Sequence, residues 1–471
     1  MTARWIAAAL ALSVLVACNG GARRRPLAPA ITPPPVFRGA AGTAGADATS
    51  LADLKWFQVF EDHQLQELIR TALVRNYDLR AAVARVESAR ANIGIARADQ
   101  LPSFGADADV TTLRFSRGGN FPVPDGFEQK RTFGGMALNL LSFELDVWGR
   151  LRRATDAAQA EMLASDENRK AVITTLVGDV ATAYFNLLAL DSELEIARRT
   201  LATREESLRV IKRREQRGLA TRLDVRQAEQ LVHTAAQTIP GIEQQIEQTE
   251  NQISLLLGQN PGPVTRGRSL TEQRQPPAVP PGLPSSLLQR RPDIRAAEQS
   301  LVASHAFVDV ARAAYFPKIS LTGFLGSQSN QLTSLFTAPT GMWQFVPQIS
   351  QPIFTGGRIR SNVTMAEAQQ HMALIAYERA IQTAFREVSD ALIQYRKVRE
   401  MRVTQESLLR TLQDRARLSS VRYRGGVDTL LNVLDAERDL FDAELGLTQT
   451  KRNELLALVQ LYRALGGGWQ Q

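Results

Sequence analysis

The chain has 471 residues, 44% of them hydrophobic, a formal charge of +8 and a single cysteine. That length allows two or three ordinary domains with sizeable cores, and a lone thiol excludes a disulfide framework or a cysteine-rich metal site. The positive charge is scattered, apart from Arg23, Arg24 and Arg25, so nucleic acid is not expected as a partner, and that cluster suits anionic lipid or solvent.

The chain opens on Arg4 and an apolar run from Ile6 to Val16 that ends in Ala17-Cys18. The run is too short to cross a bilayer and has the form of a secretory signal. Residues 1–17 are therefore expected to be a lipoprotein signal peptide. Cys18 is the expected first mature residue, acylated on its thiol, and this covalent lipid is the only prosthetic group anticipated. Asn19 follows it, not the Asp associated with inner-membrane retention of bacterial lipoproteins, which favours the periplasmic face of the outer membrane. Residues 18–50, rich in Pro, Ala, Gly and Thr, suit a flexible leader. Beyond the signal there is no run of about 18 consecutive apolar residues, so any membrane crossing has to be made with β-strands.

The rest of the chain is written twice. Asp78-Leu79-Arg80-Ala81-Ala82 matches Asp293-Ile294-Arg295-Ala296-Ala297, and Leu101-Pro102 matches Phe316-Pro317, both 215 residues on. Gly149-Arg150 matches Gly357-Arg358, Gly218 matches Gly426, Ala228-Glu229 matches Ala436-Glu437 and Leu257-Gly258 matches Leu465-Gly466, all 208 residues on. A register held over so many landmarks means a duplicated unit of about 200 residues, not a short solenoid period. The units are placed at 51–258 and 285–466, with a linker at 259–284 and a tail at 467–471.

Each unit reads in the same order. A helix, about Leu65 to Asp99 or Pro292 to Ala314, stops before a proline that cannot continue it. A β-hairpin follows, at 103–145 or 318–354. In the second, Ile319, Leu321, Gly323 and Leu325 alternate with Ser320, Thr322, Phe324 and Gly326, and a return strand is expected from about Trp343 to Phe354. In the first, the stretch Arg117 to Gly126 joins the strands. Strands of about 10 residues are what a tilted transmembrane strand needs.

The longest periodic signal comes next. Leu176, Val180, Ala183, Leu187, Leu190, Leu194, Ala197, Leu201, Leu208 and Ile211 recur in 3-4 spacing, interrupted at Arg204. The second copy runs from Ile381 through Val388 and Tyr395 to Ala416, with Arg402 and Gln405 in the seam. This is a coiled-coil repeat, on a helix roughly 100 Å long at about 1.5 Å per residue. Glycine turns at Gly218 and Gly425-Gly426 reverse it into helices from Thr221 to Leu257 and from Thr429 to Leu465, with Thr221 and Asp224 spaced as a capped start.

Four strands cannot close a barrel, and an open strand edge in lipid leaves backbone groups unsatisfied at several kcal/mol each. Other copies must complete the sheet, and three copies give a bore wide enough to stay open. Here the chain resembles the TolC-type outer-membrane efflux channels, in particular their NodT-like lipoprotein branch. The likeness is carried by Gln289-Arg290-Arg291-Pro292-Asp293-Ile294-Arg295-Ala296-Ala297-Glu298, Tyr315-Phe316-Pro317-Lys318-Ile319-Ser320-Leu321-Thr322-Gly323, Phe143-Glu144-Leu145-Asp146-Val147-Trp148-Gly149, Leu256-Leu257-Gly258-Gln259-Asn260-Pro261-Gly262 and the run Tyr423 to Ala436. The resemblance implies an α+β homotrimer with a 12-stranded transmembrane β-barrel, four strands per chain, continuous with a 12-helix α-barrel in the periplasm. It also implies a passive exit duct for drugs, toxic compounds or metabolites. The implied partners are a periplasmic adaptor and an inner-membrane, proton-driven transporter.

The helical turns are the expected functional end. Trimerisation makes a ring of each tip carboxylate, which favours cations and can bar a narrow aperture. Asp435 is the first candidate, then Asp428, with Asn432, Asp224, Tyr423 and Arg424 around them; the competing reading of Asp435 is an i+3 ion pair with Arg438 on a solvated face. In related channels polar links among Asp, Arg and Tyr hold the tip closed, and Arg422 and Arg424 are the cations at hand. Gly218, Leu219 and Thr221, with Gly426, Val427 and Thr429, resemble the motif that adaptors contact, though turning the chain alone would also require the glycines. His63, His233, His305 and His371 lack metal-ligand spacing, and no phosphate loop or nucleophile elbow is present, so an enzyme is not expected. The rival functions are a protein-secretion channel and a non-conducting lipidated tether, the second disfavoured by the duplicated hairpins.

Overall fold

The computed structural model describes residues 31–38, 51–116, 128–273 and 284–470. The signal peptide, Cys18, most of the leader, the loop from Arg117 to Gly126, part of the linker and Gln471 lie outside the described residues. A short helix α1 (Trp56–Val59) leads into α2 (His63–Arg75) and α3 (Tyr77–Ala98), then strands β1 (Phe104–Arg114) and β2 (Lys130–Glu144). The long helix α4 (Arg150–Gln216) and α5 (Arg222–Leu256) complete the first pass. The second runs through α6 (Pro284–Arg290), α7 (Pro292–Ala313), β3 (Lys318–Ser329), β4 (Gly341–Ser350), α8 (Arg358–Arg424) and α9 (Leu430–Ala464).

The duplication is metrically close. Helices α3 and α7 each have 22 residues, α4 and α8 each 67, α5 and α9 each 35. The turn glycines agree as well: Gly149 and Gly357 enter the long helices at φ 78° and 86°, and Gly218 and Gly426 leave them at 73° and 75°. All four lie in the left-handed region, which a side chain resists.

The helix expected from Leu65 to Asp99 is in fact two. It breaks at Asn76, whose backbone is extended and whose side-chain oxygen accepts from the Leu79 N–H, capping α3. Its counterpart Arg291 separates α6 from α7, with Pro292 at the first helical position, where a missing N–H costs nothing. The return strand ends at Ser350, short of the expected Phe354.

The main core lies where the middle of α4 meets α2 and α9, with α8 packed on the far side of α9. Tyr184, Leu187, Val180 and Ala181 are fully buried there, against Leu65, Ile69, Val388 and Val459. Each large side chain contributes about 1.5–3 kcal/mol. The same packing explains why α4 holds a window apolar enough for a membrane span: 67% of that window is buried inside the protein. Phe37, 3% exposed, packs on Phe385 at 6.3 Å and pins the described part of the leader to α8. The linker is held by Asp62, which accepts from the N–H groups of Gln64, Leu65 and Arg268 and from Gln273 Nε2, while the Tyr184 hydroxyl accepts from Gly267 N–H at 2.8 Å.

Candidate functional site

At one end of the molecule the described strands form a single antiparallel sheet in the order β1-β2-β3-β4. Directly paired residues share a face. Phe104 and Leu140, Ala106 and Leu138, Leu138 and Leu325, Leu325 and Trp343, Phe345 and Gly323, and Ile319 and Ile349 build one apolar face. The other carries Asp107, Asp109, Asn139, Glu144, Ser320, Thr322, Gln344 and Gln348, with Phe324 and Val346 among them. A register shift between Leu140 and Phe143 inserts a residue into β2 and returns Phe143 to the apolar face opposite Leu321. Every residue of β4 is exposed, and the outer edges of β1 and β4 have no strand beside them among the described residues.

The sheet joins the helices through both repeats at once. Trp148 stacks on Phe316 with centroids 4.9 Å apart, and its indole N–H donates to the Pro317 carbonyl at 2.8 Å. Glu144 accepts from Arg150 Nε and Nη2, at 2.9 and 2.7 Å, and meets Lys318 at 3.1 Å. The bases of α4 and of β3 are therefore tied to the same carboxylate.

At the other end are the two helical turns. In the first, Thr221 and Asp224 form a reciprocal capping box: Thr221 Oγ1 accepts from the Asp224 N–H and Asp224 Oδ2 from the Thr221 N–H. In the second, Asp428 accepts from Asn432 Nδ2 at 2.6 Å, Thr429 N–H at 2.8 Å and Arg422 Nε at 3.1 Å, and these bonds hold its carboxyl below the usual value. Arg424 donates to its own helix, at Ser420 O. Asp435 lies 3.3 Å from Arg438, with 37% of its side chain exposed. The i+3 ion pair is thus formed, and it leaves part of the carboxylate open to solvent.

Of the residues singled out in the sequence, Asp428, Asn432 and Thr429 come together, whereas Asp224 and Asp435 stand apart from that network. Tyr423 turns to the other hairpin: the Arg214 guanidinium sits 4.8 Å from its ring centre, and the ring packs on a small cluster of Ile211, Ala228, Leu430, Val433 and Leu434. This cluster, separate from the main core, holds the two tips of one chain together.

A polar joint lies just above it. Arg204, 3% exposed, donates Nη1 to the Leu231 carbonyl at 3.0 Å and lies 5.0 Å from the Phe441 ring centre. Among the described residues its Nε and Nη2 make no hydrogen bond, nor does the buried Oε2 of Glu437. Burial pushes the Glu437 carboxyl up, against the opposing pull of Arg204. The sequence showed Arg204 as a break in the seam but gave no sign that Glu437 lies within its electrostatic reach. Arg214 carried no signal beyond its position about one turn before a glycine.

A profile of the outer membrane efflux protein family matches residues 68–259 and 283–467. The probable efflux pump outer membrane protein TtgC of Pseudomonas putida is 38% identical over 435 residues, covering 91% of this chain and 88% of its own. The outer membrane protein OprJ of Pseudomonas aeruginosa is 37% identical over 433 residues, covering 91% and 89%. The open-state crystal structure of the MtrE outer membrane channel of Neisseria gonorrhoeae superposes with a TM-score of 0.86 at 34% identity, over 95% of this chain and 98% of that one.

Proposed function

Because the chain belongs to the outer membrane efflux protein family, we propose that it works as a homotrimeric exit duct, lipid-anchored in the outer membrane and reaching into the periplasm. Its relatives are outer-membrane components of efflux pumps, and the role is that of a duct and not of an enzyme. The observation that carries the trimer is the sheet: one apolar face, one polar face and two open edges. In lipid those edges have to be paired, and three copies joined edge to edge give a closed 12-stranded barrel with the apolar face outward and a polar bore. The repeats 51–258 and 285–466 are then the two units of a pseudo-symmetric protomer, and three protomers supply twelve helical positions around a periplasmic α-barrel.

Acylation at Cys18 fits the position of Phe37. The 27 residues of α8 between Arg358 and Phe385 span roughly 40 Å, while the 19 residues from Cys18 to Phe37 can reach up to about 65 Å when extended. The leader is long enough to place a lipid at the level of the sheet. A periplasmic adaptor and a proton-driven inner-membrane transporter complete the pump. The adaptor meets the turns around Gly218, Leu219 and Thr221 and around Gly426, Val427 and Thr429, and docking opens an aperture lined by Asp435, with Asp428, Asn432, Asp224, Tyr423 and Arg424 nearby. The partly open Asp435 carboxylate supports that aperture; Asp428, held by three donors, supports the turn itself.

The test is planar-bilayer conductance of purified protein, wild type against Asp435→Ala. Low, cation-selective conductance that rises or loses selectivity in the variant fits the duct and the aspartate ring. Identical behaviour moves the aperture away from Asp435. A folded trimer that conducts under no condition, even after disruption of the tips, overturns the duct.

A further inference from the structure

The two tips share one feature and differ in another. Leu219 and Leu223 are each 66% exposed, and the residues 208 positions on, Val427 and Leu431, are 66% and 51% exposed. Among the described residues an added Cβ at Gly218 or Gly426 would meet nothing within 4 Å, so each backbone turn stands open beside its apolar pair. The surrounding charge is not shared. From Arg209 to Glu229 the chain has seven Lys or Arg against three Asp or Glu, whereas the matching stretch Arg417 to Glu437 has three of each. Arg213, Arg217 and Arg222 are exposed and make no ion pair among the described residues, and their counterparts are Val421, Gly425 and Leu430. Of the three second-tip arginines, Arg422 is taken by Asp428 and Arg417 by Asp414, and Arg424 donates back to the Ser420 carbonyl of its own helix.

We infer that the first tip is a charge-selective docking knob for a helical hairpin that sets carboxylates around an apolar seat, and that the second tip takes its partner hairpin through apolar contact alone. This rests on the reading that an adaptor docks at the turns. Exposed leucines give the contact its area, and three uncommitted guanidinium groups around them reward acidic neighbours and repel basic ones. Anionic lipid would also be drawn to the arginines. A bilayer surface, however, meets both tips alike, whereas a partner with separate hairpins can match each tip to its own charge.

The experiment places the photo-crosslinking residue p-benzoylphenylalanine at Leu219 or at Val427 of the full-length protein in cells and sequences the captured peptide. Expected is a peptide from a helical hairpin, net negative at the Leu219 site and without that bias at Val427. Combining the crosslinker with Arg213→Gln, Arg217→Gln and Arg222→Gln is expected to lower the yield at 219 about tenfold and leave the yield at 427 unchanged. Equal effects at both positions, no effect at 219, or a net basic peptide there overturns charge selectivity while leaving tip docking intact. Crosslinks from 219 to lipid overturn the proposal in favour of a membrane contact. No protein captured from either position removes the docking reading along with it.

Discussion

Asn76 and Arg291 do the same work from equivalent positions. Asn76 Nδ2 donates to the Leu256 carbonyl at the end of α5, and Arg291 Nη1 donates to the Ala464 carbonyl at the end of α9, both at 3.0 Å. Each sits at the break before its repeat's 22-residue helix and supplies a partner to a helix C-terminus that lacks one. Asn76→Ala is expected to cost about 1–2 kcal/mol, as a lost cap plus one hydrogen bond. Arg291→Ala should cost more, about 2–3 kcal/mol, because it strands Asp293 and Glu387, which lie 2.6 and 2.8 Å away. The figure stays below that of a fully buried pair since those carboxylates are 44% and 41% exposed. Apparent melting temperatures of the purified variants, with Arg291→Ala lower than Asn76→Ala, check the order.

Asp62 makes stability fall in acid. Burial pushes its carboxyl up, but donors from Gln273, Arg268, Leu65 and Gln64 outweigh burial and hold it below the ordinary value of 3.8. A depressed carboxyl contributes stability that is present above 3.8 and is lost as pH falls through the folded value. Asp62→Asn keeps the shape, loses the charge and adds donors among groups that already donate. It should lower the melting temperature at pH 7 and narrow the gap to wild type near pH 3.

Gly258 is fixed by a close approach as well as by its φ of 65°. A Cβ there would stand 2.5 Å from the Arg75 carbonyl, which is backbone and cannot turn aside. Gly258→Ala is expected to destabilise by about 2 kcal/mol or more, whereas Gly262→Ala, whose Cβ would meet only the Asn260 carbonyl at an ordinary 3.9 Å, should change the melting temperature little.

These variants mark where the sequence was readable. The duplicated register predicted the paired long helices and their glycine turns because backbone geometry at a left-handed position leaves a residue-type trace. The break at Asn76 was hidden, since Leu65, Leu68, Ile69, Ala72, Leu79, Ala82 and Val86 keep one helical spacing straight across it. Faces of the β-sheet were legible in β3, where apolar and polar residues alternate, and obscure in β2, where the extra residue after Leu140 reverses the phase. At the tip, residue types were visible but partners were not: Arg422 and Arg424 look alike in sequence, yet only Arg422 reaches Asp428. Ion pairs between hairpins depend on packing at a sequence distance of more than 200 residues, and no local pattern encodes them.

The joint between Arg204 and Glu437 should tune how firmly the two hairpins hold together. Glu437 has its carboxyl pushed up by burial, with Arg204 as the opposing influence. A raised carboxyl contributes stability that is fully present below the ordinary value of 4.5 and is lost as pH rises through the folded value. Contact between α4 and α9 is therefore tighter in mild acid and looser toward neutrality, when a carboxylate whose Oε2 accepts no hydrogen bond among the described residues has to stay charged in the neighbourhood of a guanidinium whose Nε and Nη2 donate none. Glu437→Gln should flatten this dependence, so that its melting temperature relative to wild type is higher at pH 8 than at pH 5. Arg204→Met alone removes the opposing charge and should destabilise at pH 8. Combined with Glu437→Gln it replaces a poorly partnered buried pair with near-isosteric neutral groups, expected to be neutral or stabilising by about 1 kcal/mol. Conductance distinguishes a gating role from a purely structural one. The double variant should open less often than wild type at pH 8, and unchanged opening together with raised stability would confine the joint to holding the fold.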